Sequence, residues 1–272
     1  MYLAVDVGGT KTLVALLADD GQIIEQRRFK SSPDYAEFLQ DLRQNFEQLE
    51  HRPEGPIDGC AGIPGFLDRD RGIVHVLGNL PWQDKPIRDD IANITGGRMI
   101  IDNDANLGGL SEAMLHKECE TVLYFTVSTG IGTGLIRQQR IDPAFIKSEG
   151  GHMVLPHEGK LEDWESFASG KAIAQRYGKP AAEITEQDDW RTIAHDLALG
   201  FFNHIALVQP DLIVIGGSIG THFNHYKDYL LEELRTFERP IVPIPAIVEA
   251  ERPEEAVIFG CYDLARQVFS NE

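Results

Sequence analysis

Two segments of this 272-residue chain share one pattern, and the repetition constrains the fold more than any other feature. In the first segment, an apolar run ends at Asp6, two glycines, a threonine and a lysine follow, and a second apolar run begins at Leu13. In the other segment, the apolar residues 121–127 lead through the glycine- and threonine-rich residues 128–134 into another apolar pair. Each pattern predicts a strand, a tight turn and a returning strand. One such hairpin in each half of the chain predicts two similar lobes.

The glycines of both turns can adopt positive φ and carry no Cβ, so backbone N–H groups and threonine hydroxyls can approach a phosphate closely. The residues with this predicted role are Gly8, Gly9, Thr10 and Lys11 in the first turn and Thr129, Gly130, Gly132 and Thr133 in the second. Asp6 would end the first strand, where its carboxylate could hold a hydrated metal ion. For the first segment alone, an ordinary hairpin with a Gly-Gly turn is the alternative.

Composition limits the partners and the compartment. The formal charge of −18 disfavours binding to a nucleic-acid backbone or to an anionic membrane. The three cysteines, Cys60, Cys119 and Cys261, have no C-x-x-C spacing and are predicted to be free thiols in a reducing cytoplasm. There is no signal-peptide pattern and no apolar run of roughly 18 residues, the length that suggests a membrane span. We therefore expect a soluble, cytoplasmic protein.

A third informative stretch joins a buried strand, Met99–Asp102, to a helix with apolar residues at Leu107, Leu110, Met114 and Leu115. Such a junction presents polar side chains beside a helix N-terminus. Asp104 is therefore a candidate general base, and Asn103 a candidate for holding a substrate hydroxyl. Asp and Asn are also preferred helix N-caps, and we expect that one of the polar residues here caps the helix.

A carboxylate and an imidazole bracket two glycines in Glu149–His152, and Glu165 follows in Trp164–Gly170. Carboxylates and histidine suit a polyhydroxylated ring, because each can donate to or accept from neighbouring hydroxyls. The alternative for His152 is a structural loop histidine. Further along, a buried strand from Leu212 delivers Gly216 and Gly217 to a helix start, where an adenosine could lie against backbone.

The remaining segments predict a framework. The N-terminal hairpin continues into a third strand through Lys30, and a helix with apolar Phe38, Leu42 and Phe46 follows a Ser31–Asp34 cap. Exposed turns are predicted around Gly65 and Asn79. The amphipathic helix from Trp190 to before Pro210 is expected to be core without chemistry, and Glu254–Phe269 is expected to form a closing helix.

In their order along the chain, these motifs resemble the ROK family of sugar kinases, within the actin-like ATPase superfamily that includes hexokinase and the Hsp70 ATPase domain. The segments that carry the resemblance are Asp6–Lys11, Asn103–Asn106, Ser128–Gly134, Glu149–His152 and Ile215–Gly217. It implies a two-lobe α/β fold of the ribonuclease H-like type, with mixed sheets flanked by helices and a nucleotide and sugar cleft between the lobes. The expected parts are an N-terminal small lobe at 1–106, a C-terminal large lobe at 107–252 and a C-terminal helix at 253–272 that packs on the small lobe.

The resemblance also implies roles. The two glycine turns would grip the phosphates of ATP, Gly216 and Gly217 would border the adenosine, and Asp6 would place Mg²⁺ through water. Asp104 would take the proton from the attacking hydroxyl, most simply the 6-OH of glucose. The residues implied to bind the sugar are Gly65, Asn79, Asn103, Asp104, Glu149, His152 and Glu165. Fructose or an N-acetylhexosamine is the alternative acceptor, and we expect a homodimer.

Two departures from the family pattern carry further expectations. Many members follow the histidine with a cysteine-rich zinc loop, whereas residues 155–163 here contain no cysteine, so we expect no zinc. Family repressors carry an additional DNA-binding domain before the kinase-like part, whereas this chain starts at the first glycine hairpin, so DNA binding is disfavoured. A non-catalytic sugar-binding regulator is the alternative from another class. A candidate base at Asp104 argues against it, because a pure binding protein needs none.

Overall fold

The computed structural model describes residues 1–253 and 255–270, which form two compact units. Unit 1 contains Met1–Ser111 and Glu255–Glu272, and unit 2 contains Glu112–Glu254. Of the predicted C-terminal segment, residues 254, 271 and 272 lie outside the described residues. The functional lobe boundaries given above stay a prediction.

The strands are short and run through both units. In unit 1 they are β1 Tyr2–Val7, β2 Lys11–Leu17, β3 Ile23–Lys30, β4 Ile57–Gly62, β5 Phe66–Asp68, β6 Ile73–Val76, β7 Gln83–Lys85 and β8 Gly96–Asp102. In unit 2 they are β9 Thr121–Val127, β10 Ile131–Arg137, β11 Arg140–Ile141, β12 Val154–His157, β13 Lys160–Asp163, β14 Leu212–Gly216 and β15 Ala246–Glu249.

The helices lie between and after these strands. Unit 1 has α1 Tyr35–Glu47, α2 Ile87–Thr95 and α3 Asp104–Ala113, the last of which crosses the boundary with unit 2. Unit 2 has α4 Trp164–Ala168, α5 Gly170–Tyr177, α6 Gln187–Val208, α7 Gly217–Gly220 and α8 Phe223–Phe237, with 3₁₀ turns at Gly150–His152 and Ala181–Glu183. The final helix, α9 Ala256–Phe269, belongs to unit 1.

The main sheets of the two units have the same design. In unit 1 the strand order is β3-β2-β1-β4-β8, and in unit 2 it is β11-β10-β9-β14-β15. The first three strands of each order form an antiparallel meander, and the last two run parallel to the central strand. The two glycine turns, β1–β2 and β9–β10, therefore occupy equivalent places. This confirms the repeated hairpin predicted from the sequence.

Helices cover the sheet of unit 1 with the periodicity read from the sequence. In α1, Phe38, Leu42 and Phe46 are buried, and the carboxylate of Asp34 caps the helix by accepting the N–H of Glu37 at 2.9 Å. Helix α9 packs against β1 and β4 through buried residues that include Ile258 and Cys261. The three cysteines are free thiols.

Helix α6 packs on the sheet of unit 2. Its residues Leu197, Phe201 and Ile205 are fully buried, with the ring of Phe201 centred 4.5 Å from that of Phe125. The prediction that this helix belongs to the core is confirmed, and Asp196 and His204 on the same helix are buried polar residues that the sequence pattern did not identify. The periodicity of apolar residues identifies the buried face of a helix. It does not identify the polar residues that contacts with distant parts of the chain also bury.

Several elements depart from the sequence expectations. The three-stranded sheet β5-β6-β7, the hairpin β12–β13 and helix α8 have no counterpart in the predicted framework. For the two small sheets the reason is that strands of three or four residues give too little periodic signal. Helix α3 ends at Ala113, so Met114 and Leu115 lie in a turn after it. Among the described residues, no helix is both long and apolar enough to span a bilayer.

Candidate functional site

Ser31 stabilises the first glycine turn through two hydrogen bonds to its carbonyl groups. The N–H of Gly8 donates to the carbonyl of Lys11 at 2.9 Å, which closes the turn. Ser31 donates its N–H to the Thr10 carbonyl at 3.1 Å and its hydroxyl to the Gly8 carbonyl at 2.7 Å. The Thr10 and Lys11 side chains are exposed. Ser31, which sequence reasoning assigned only to the helix cap, therefore braces the turn, and the residues predicted to meet a phosphate remain accessible.

Close packing fixes two other predicted site residues of unit 1, Asn79 and Gly65. A Cβ added at Gly9 would lie 2.5 Å from the Cβ of Asn79, so Asn79 is packed directly against the first turn. Gly65 has φ +91°, and a Cβ there would collide with the carbonyl of Val76 in the small sheet. The close approach of neighbouring atoms therefore requires glycine at Gly9 and at Gly65. At Gly65 the positive φ requires it as well.

The junction between β8 and α3 is fixed by one buried carboxylate. Oδ1 of Asp102 accepts from Nε of Arg69 at 3.0 Å and from its Nη2 at 2.8 Å. The same oxygen accepts from the N–H of Asn103 at 2.6 Å and from Nδ2 of Asn106 at 2.9 Å. Sequence reasoning missed Asp102 and Arg69 as site residues. Arg69 lies in the turn after β5 and carries no local signal of this contact.

Asn103 and Asp104 both lie at this junction. Oδ1 of Asn103 accepts the N–H of Ala105 at 2.9 Å, so Asn103 caps the helix as the alternative reading expected. Oδ1 of Asp104 accepts the same N–H at 2.9 Å. Burial raises the pKa of Asp104, and the backbone N–H bonds partly oppose that shift. A carboxylate with a raised pKa at a helix start has the properties of a general base.

Asp6 is the second carboxylate of the candidate site, after Asp104. Burial, and then the charge of Asp104, raise its pKa to about 7, while the charge of Arg28 lowers it. These hard oxygen donors fit Mg²⁺, because a divalent cation would remove the repulsion that raises the pKa. No cluster of three or more His, Cys, Asp or Glu side chains suited to a metal ion occurs in residues 1–253 and 255–270. Mg²⁺ beside Asp6 would therefore keep water or phosphate oxygens as most of its ligands.

The second glycine turn is held by a carboxylate. The N–H of Ser128 donates to the carbonyl of Gly130 at 2.9 Å, and Oε2 of Glu165 accepts the N–H of Ile131 at 3.1 Å. A Cβ at Gly130 would lie 2.6 Å from that oxygen, so a side chain there would displace the Glu165 carboxylate from the Ile131 N–H. The Thr129 side chain is exposed. Glu165 thus contacts the turn as well as its predicted sugar-binding neighbours.

In unit 2, the glycines that begin helices α5 and α7 pack closely against the backbone of residues 127 and 128. Gly217 has φ +77°, and a Cβ there would lie 2.5 Å from the Val127 carbonyl. A Cβ at Gly170 would lie 2.7 Å from the Ser128 carbonyl. Gly216 leaves room for the hydroxyl of Tyr124. The predicted nucleoside residue Gly217 therefore lies close to the residues that lead into the second turn.

The Glu149–His152 turn lies on β10. Gly150 donates its N–H to Oγ1 of Thr133 at 3.3 Å, and a Cβ at Gly150 would collide with Nε2 of His204. Thr133, which was predicted with the phosphate contacts, is buried and also bonds to this turn. Nδ1 of His152 lies 3.5 Å from Oδ2 of Asp163 and 3.9 Å from Oε1 of Glu165. The structure thus brings His152 and Glu165 together, and both Glu149 and His152 are exposed.

Side-chain contacts connect the hairpin β12–β13, which follows the Glu149–His152 turn, to the neighbouring helices. The His157 ring stacks on that of Phe167, with the centroids 4.1 Å apart. Its Nδ1 lies 3.1 Å from Glu162, and its Nε2 lies 3.7 Å from Asp196, which also pairs with Arg176 at 2.6 Å. These contacts tie β12 and β13 to α6.

The repeated meander, the glycine turns and the paired carboxylates define an α/β protein of the two-lobe actin-like ATPase class. Solved structures of sugar kinases share this fold over nearly the whole chain. The chain belongs to the ROK family, whose model matches residues 2–268. The resemblance inferred from the motifs is thereby confirmed, and so is the fold class.

Individual relatives differ in their sugar. An N-acetyl-D-glucosamine kinase of Escherichia fergusonii is 28% identical over 96% of this chain and 97% of its own length. A glucokinase of Streptomyces coelicolor is 22% identical over 98% of both chains. The crystal structure of a ROK hexokinase from Thermus thermophilus matches with a TM-score of 0.77 and 26% identity, covering 98% of this chain and 99% of that one.

Proposed function

We propose that the protein is an ATP-dependent hexose kinase that transfers the γ-phosphate to a sugar hydroxyl, with glucose and its 6-OH as the leading acceptor. The observation that carries this proposal is the pair Asp6 and Asp104 in unit 1. Asp104 lies at a helix start with a raised pKa, and Asp6 beside it offers oxygen donors for a hydrated cation. A base and a cation position are the two groups that phosphoryl transfer to a hydroxyl requires of the protein.

Asp104 accepts the hydroxyl proton of the sugar as the hydroxyl attacks the γ-phosphorus, and the leaving ADP carries the charge away. Transfer of this kind depends mainly on alignment and charge neutralisation rather than on covalent chemistry. Mg²⁺, when bound near Asp6, would neutralise charge on the phosphates. The proposed phosphate contacts are Gly8, Gly9, Thr10, Lys11, Thr129, Gly130 and Gly132, and Gly216 and Gly217 are proposed to border the adenosine.

The sugar contacts are proposed to come from Glu149, His152 and Glu165, with Asn103, Asn79 and the Gly65 turn contributing from unit 1. Since Oδ1 of Asn103 already caps α3, its remaining contribution to a hydroxyl is donation from Nδ2. Thr133 is proposed to support the second turn and to position Gly150 through its hydroxyl. We further propose a cytoplasmic homodimer. The three free thiols support the reducing compartment, and light scattering during gel filtration tests the dimer.

A coupled assay of ADP release with glucose, fructose, mannose and N-acetylated hexosamines tests the proposal. We expect Mg²⁺-dependent turnover with at least one hexose, and a parallel arm with polyphosphate identifies the donor. The alternative, a non-catalytic sugar-binding regulator, predicts sugar binding by calorimetry with no turnover for any sugar or donor. That result would overturn the kinase assignment.

A further inference from the structure

Helix α6 carries a buried carboxylate that the proposed reaction does not use. Asp196 is only 3% exposed. Its Oδ2 accepts Nη1 of Arg176 at 2.6 Å, and its Oδ1 lies 3.7 Å from Nε2 of His157. A buried ion pair adds little net stability over well-packed apolar residues, because both charges must leave water. The elements that this pair connects therefore indicate its role better than its strength does.

The Asp196 pair is joined to both sides of Glu165 in helix α4. Nε1 of Trp164, the residue before Glu165, donates to the backbone carbonyl of Asp196 at 3.0 Å. Nη2 of Arg176 donates to the carbonyl of Phe167, which follows Glu165, at 3.1 Å. One guanidinium thus bonds the Asp196 carboxylate and the α4 backbone at the same time. Because α4 has only 5 residues, its orientation depends on such contacts.

The same set of contacts reaches the hairpin β12–β13 through His157. The imidazole stacks on the ring of Phe167, with the centroids 4.1 Å apart and the planes inclined by 2°. Its Nδ1 lies 3.1 Å from Oε2 of Glu162 on the other strand of the hairpin. The hairpin ends at Asp163, whose Oδ2 lies 3.5 Å from Nδ1 of His152. The contacts of His157 therefore fix the hairpin whose last residue lies beside His152.

His152 and Glu165 need support from other residues because they do not fix each other. Nδ1 of His152 lies 3.9 Å from Oε1 of Glu165, which is beyond hydrogen-bond range. The two side chains are 58% and 32% exposed. Side chains that hold a ligand in a defined geometry depend on neighbours that restrict their position. Helix α4 and the hairpin β12–β13 are the elements that can supply this restriction.

We propose that Asp196 is a positioning residue for the sugar. Through Arg176 it fixes helix α4, and with it Glu165. Through His157 it fixes the hairpin that ends beside His152. The inference rests on the proposed kinase function, in which Glu165 and His152 contact the sugar, and it adds the residue that holds these contacts in place.

Asp196→Asn tests the inference, because the amide keeps the size of the side chain and removes the charge that Arg176 and His157 face. We expect sugar kcat/KM to fall about tenfold, mainly through a higher sugar KM, since the sugar contacts are displaced. Glu233→Gln is the matched control, because its Oε2 also lies 3.1 Å or so from an imidazole of α6, that of His195. This imidazole is 51% exposed, so the control should change sugar KM less than about twofold.

Arg176→Lys keeps the test decisive if Asp196→Asn folds poorly. Lysine keeps the positive charge beside Asp196 but cannot bond the carboxylate and the Phe167 carbonyl together, so sugar kcat/KM should again fall about tenfold. A double-mutant cycle separates positioning from general stability. With Glu165→Ala already present, Arg176→Lys should cost less than about twofold more, because the group that it positions is gone. An equal loss in both backgrounds would overturn the inference.

Kinetics and sugar calorimetry on the same proteins separate this inference from the kinase function. Turnover by wild type and by Asp196→Asn with the same sugar KM overturns the positioning role and leaves the kinase function standing. Weaker sugar binding by Asp196→Asn, with no turnover of any sugar by wild type, supports the positioning role and removes phosphoryl transfer. A wild-type protein that neither binds nor phosphorylates any sugar would overturn both.

Discussion

The charge of Asp104 acts on the ionisation of Asp6 within unit 1: burial together with that charge raises the pKa of Asp6 to about 7. Arg28 opposes this shift from β3, in the same cross-strand row as Asp6 and Leu13. The two carboxylates are therefore held in an unfavourable arrangement that a cation relieves. Several measurements follow from that arrangement and from the other contacts of the site.

Stability of the metal-free protein should fall as the pH rises from about 4 to 7. The folded pKa of Asp6 lies above the unfolded value, so the folded state binds the extra proton between these pH values and loses that advantage above 7. Asp6→Asn should remove this component and be more stable than wild type at pH 8 by on the order of 2–4 kcal/mol. Urea unfolding at pH 5 and pH 8 in EDTA measures it. Equal pH dependence in both proteins, with Asp70→Asn as the exposed control, would contradict the prediction.

Asp104→Asn should abolish most phosphoryl transfer while leaving sugar binding. Removal of a general base costs on the order of 10² to 10⁴ in rate, whereas the amide keeps the shape and the cap to Ala105. Single-turnover kinetics measures the chemical step, and calorimetry measures binding. A variant that retains half of the wild-type kcat would end the assignment of Asp104 as base.

Arg69→Met should destabilise unit 1 and slow the reaction. The substitution removes two of the hydrogen bonds to the buried Asp102 carboxylate, and breaking a buried pair in this way costs about 3–5 kcal/mol. Arg191→Met is the matched control, because its pair with Glu232 is exposed and worth less than about 1 kcal/mol. Denaturant midpoints and kcat are compared, and similar losses in both variants would refute the special role of Arg69.

His152→Ala should weaken use of sugar without a loss of melting temperature. The His152 side chain is 58% exposed, so its removal leaves little unsatisfied in the fold. A lost sugar contact costs roughly 10 to 100-fold in sugar kcat/KM. Glu165→Ala should affect sugar and also ATP, because it removes the acceptor of the Ile131 N–H beside the second turn. A lower melting temperature with normal sugar kinetics for His152→Ala would show that the residue is structural.

Activity should vanish in EDTA and return with Mg²⁺, while elemental analysis should find no stoichiometric zinc. Phosphate charge needs a divalent cation, and the hairpin β12–β13 is fixed by His157, Glu162 and Asp196 without a thiolate. One zinc per chain in protein purified without added metal would require ligands that these contacts do not identify.

Local sequence patterns were sufficient for the parts of the fold that repeat. The apolar runs before Gly8 and before residue 128 specify strands, and the glycines that follow specify tight turns. Helix α1 was readable because its buried residues recur every three or four positions. The equivalence of the two sheets follows from these signals, since the same hairpin begins each meander.

The residues that support the site were not readable, because their partners are distant in sequence. Arg69 reaches Asp102 across 33 positions, and Ser31 reaches the carbonyl of Gly8 across 23. His204 lies in a helix whose apolar period is complete without it, and its burial depends on packing against Gly150, which is distant in sequence. Sequence periodicity predicts which face of a helix or strand is buried. It does not predict which polar group from elsewhere in the chain contacts that face.

Helix α9 belongs to a unit that the rest of the chain interrupts, and this sets the order in which the protein can mature on the ribosome. Unit 2 is one continuous segment of the chain. In unit 1, by contrast, β1 and β4 are synthesised well before Ile258 and Cys261, the residues of α9 that cover them. At roughly 5–20 residues per second, the intervening synthesis leaves that sheet face bare for on the order of ten seconds. The later half of the sequence therefore completes its core first, and the nascent first half is the part for which a chaperone would have to substitute for the missing helix.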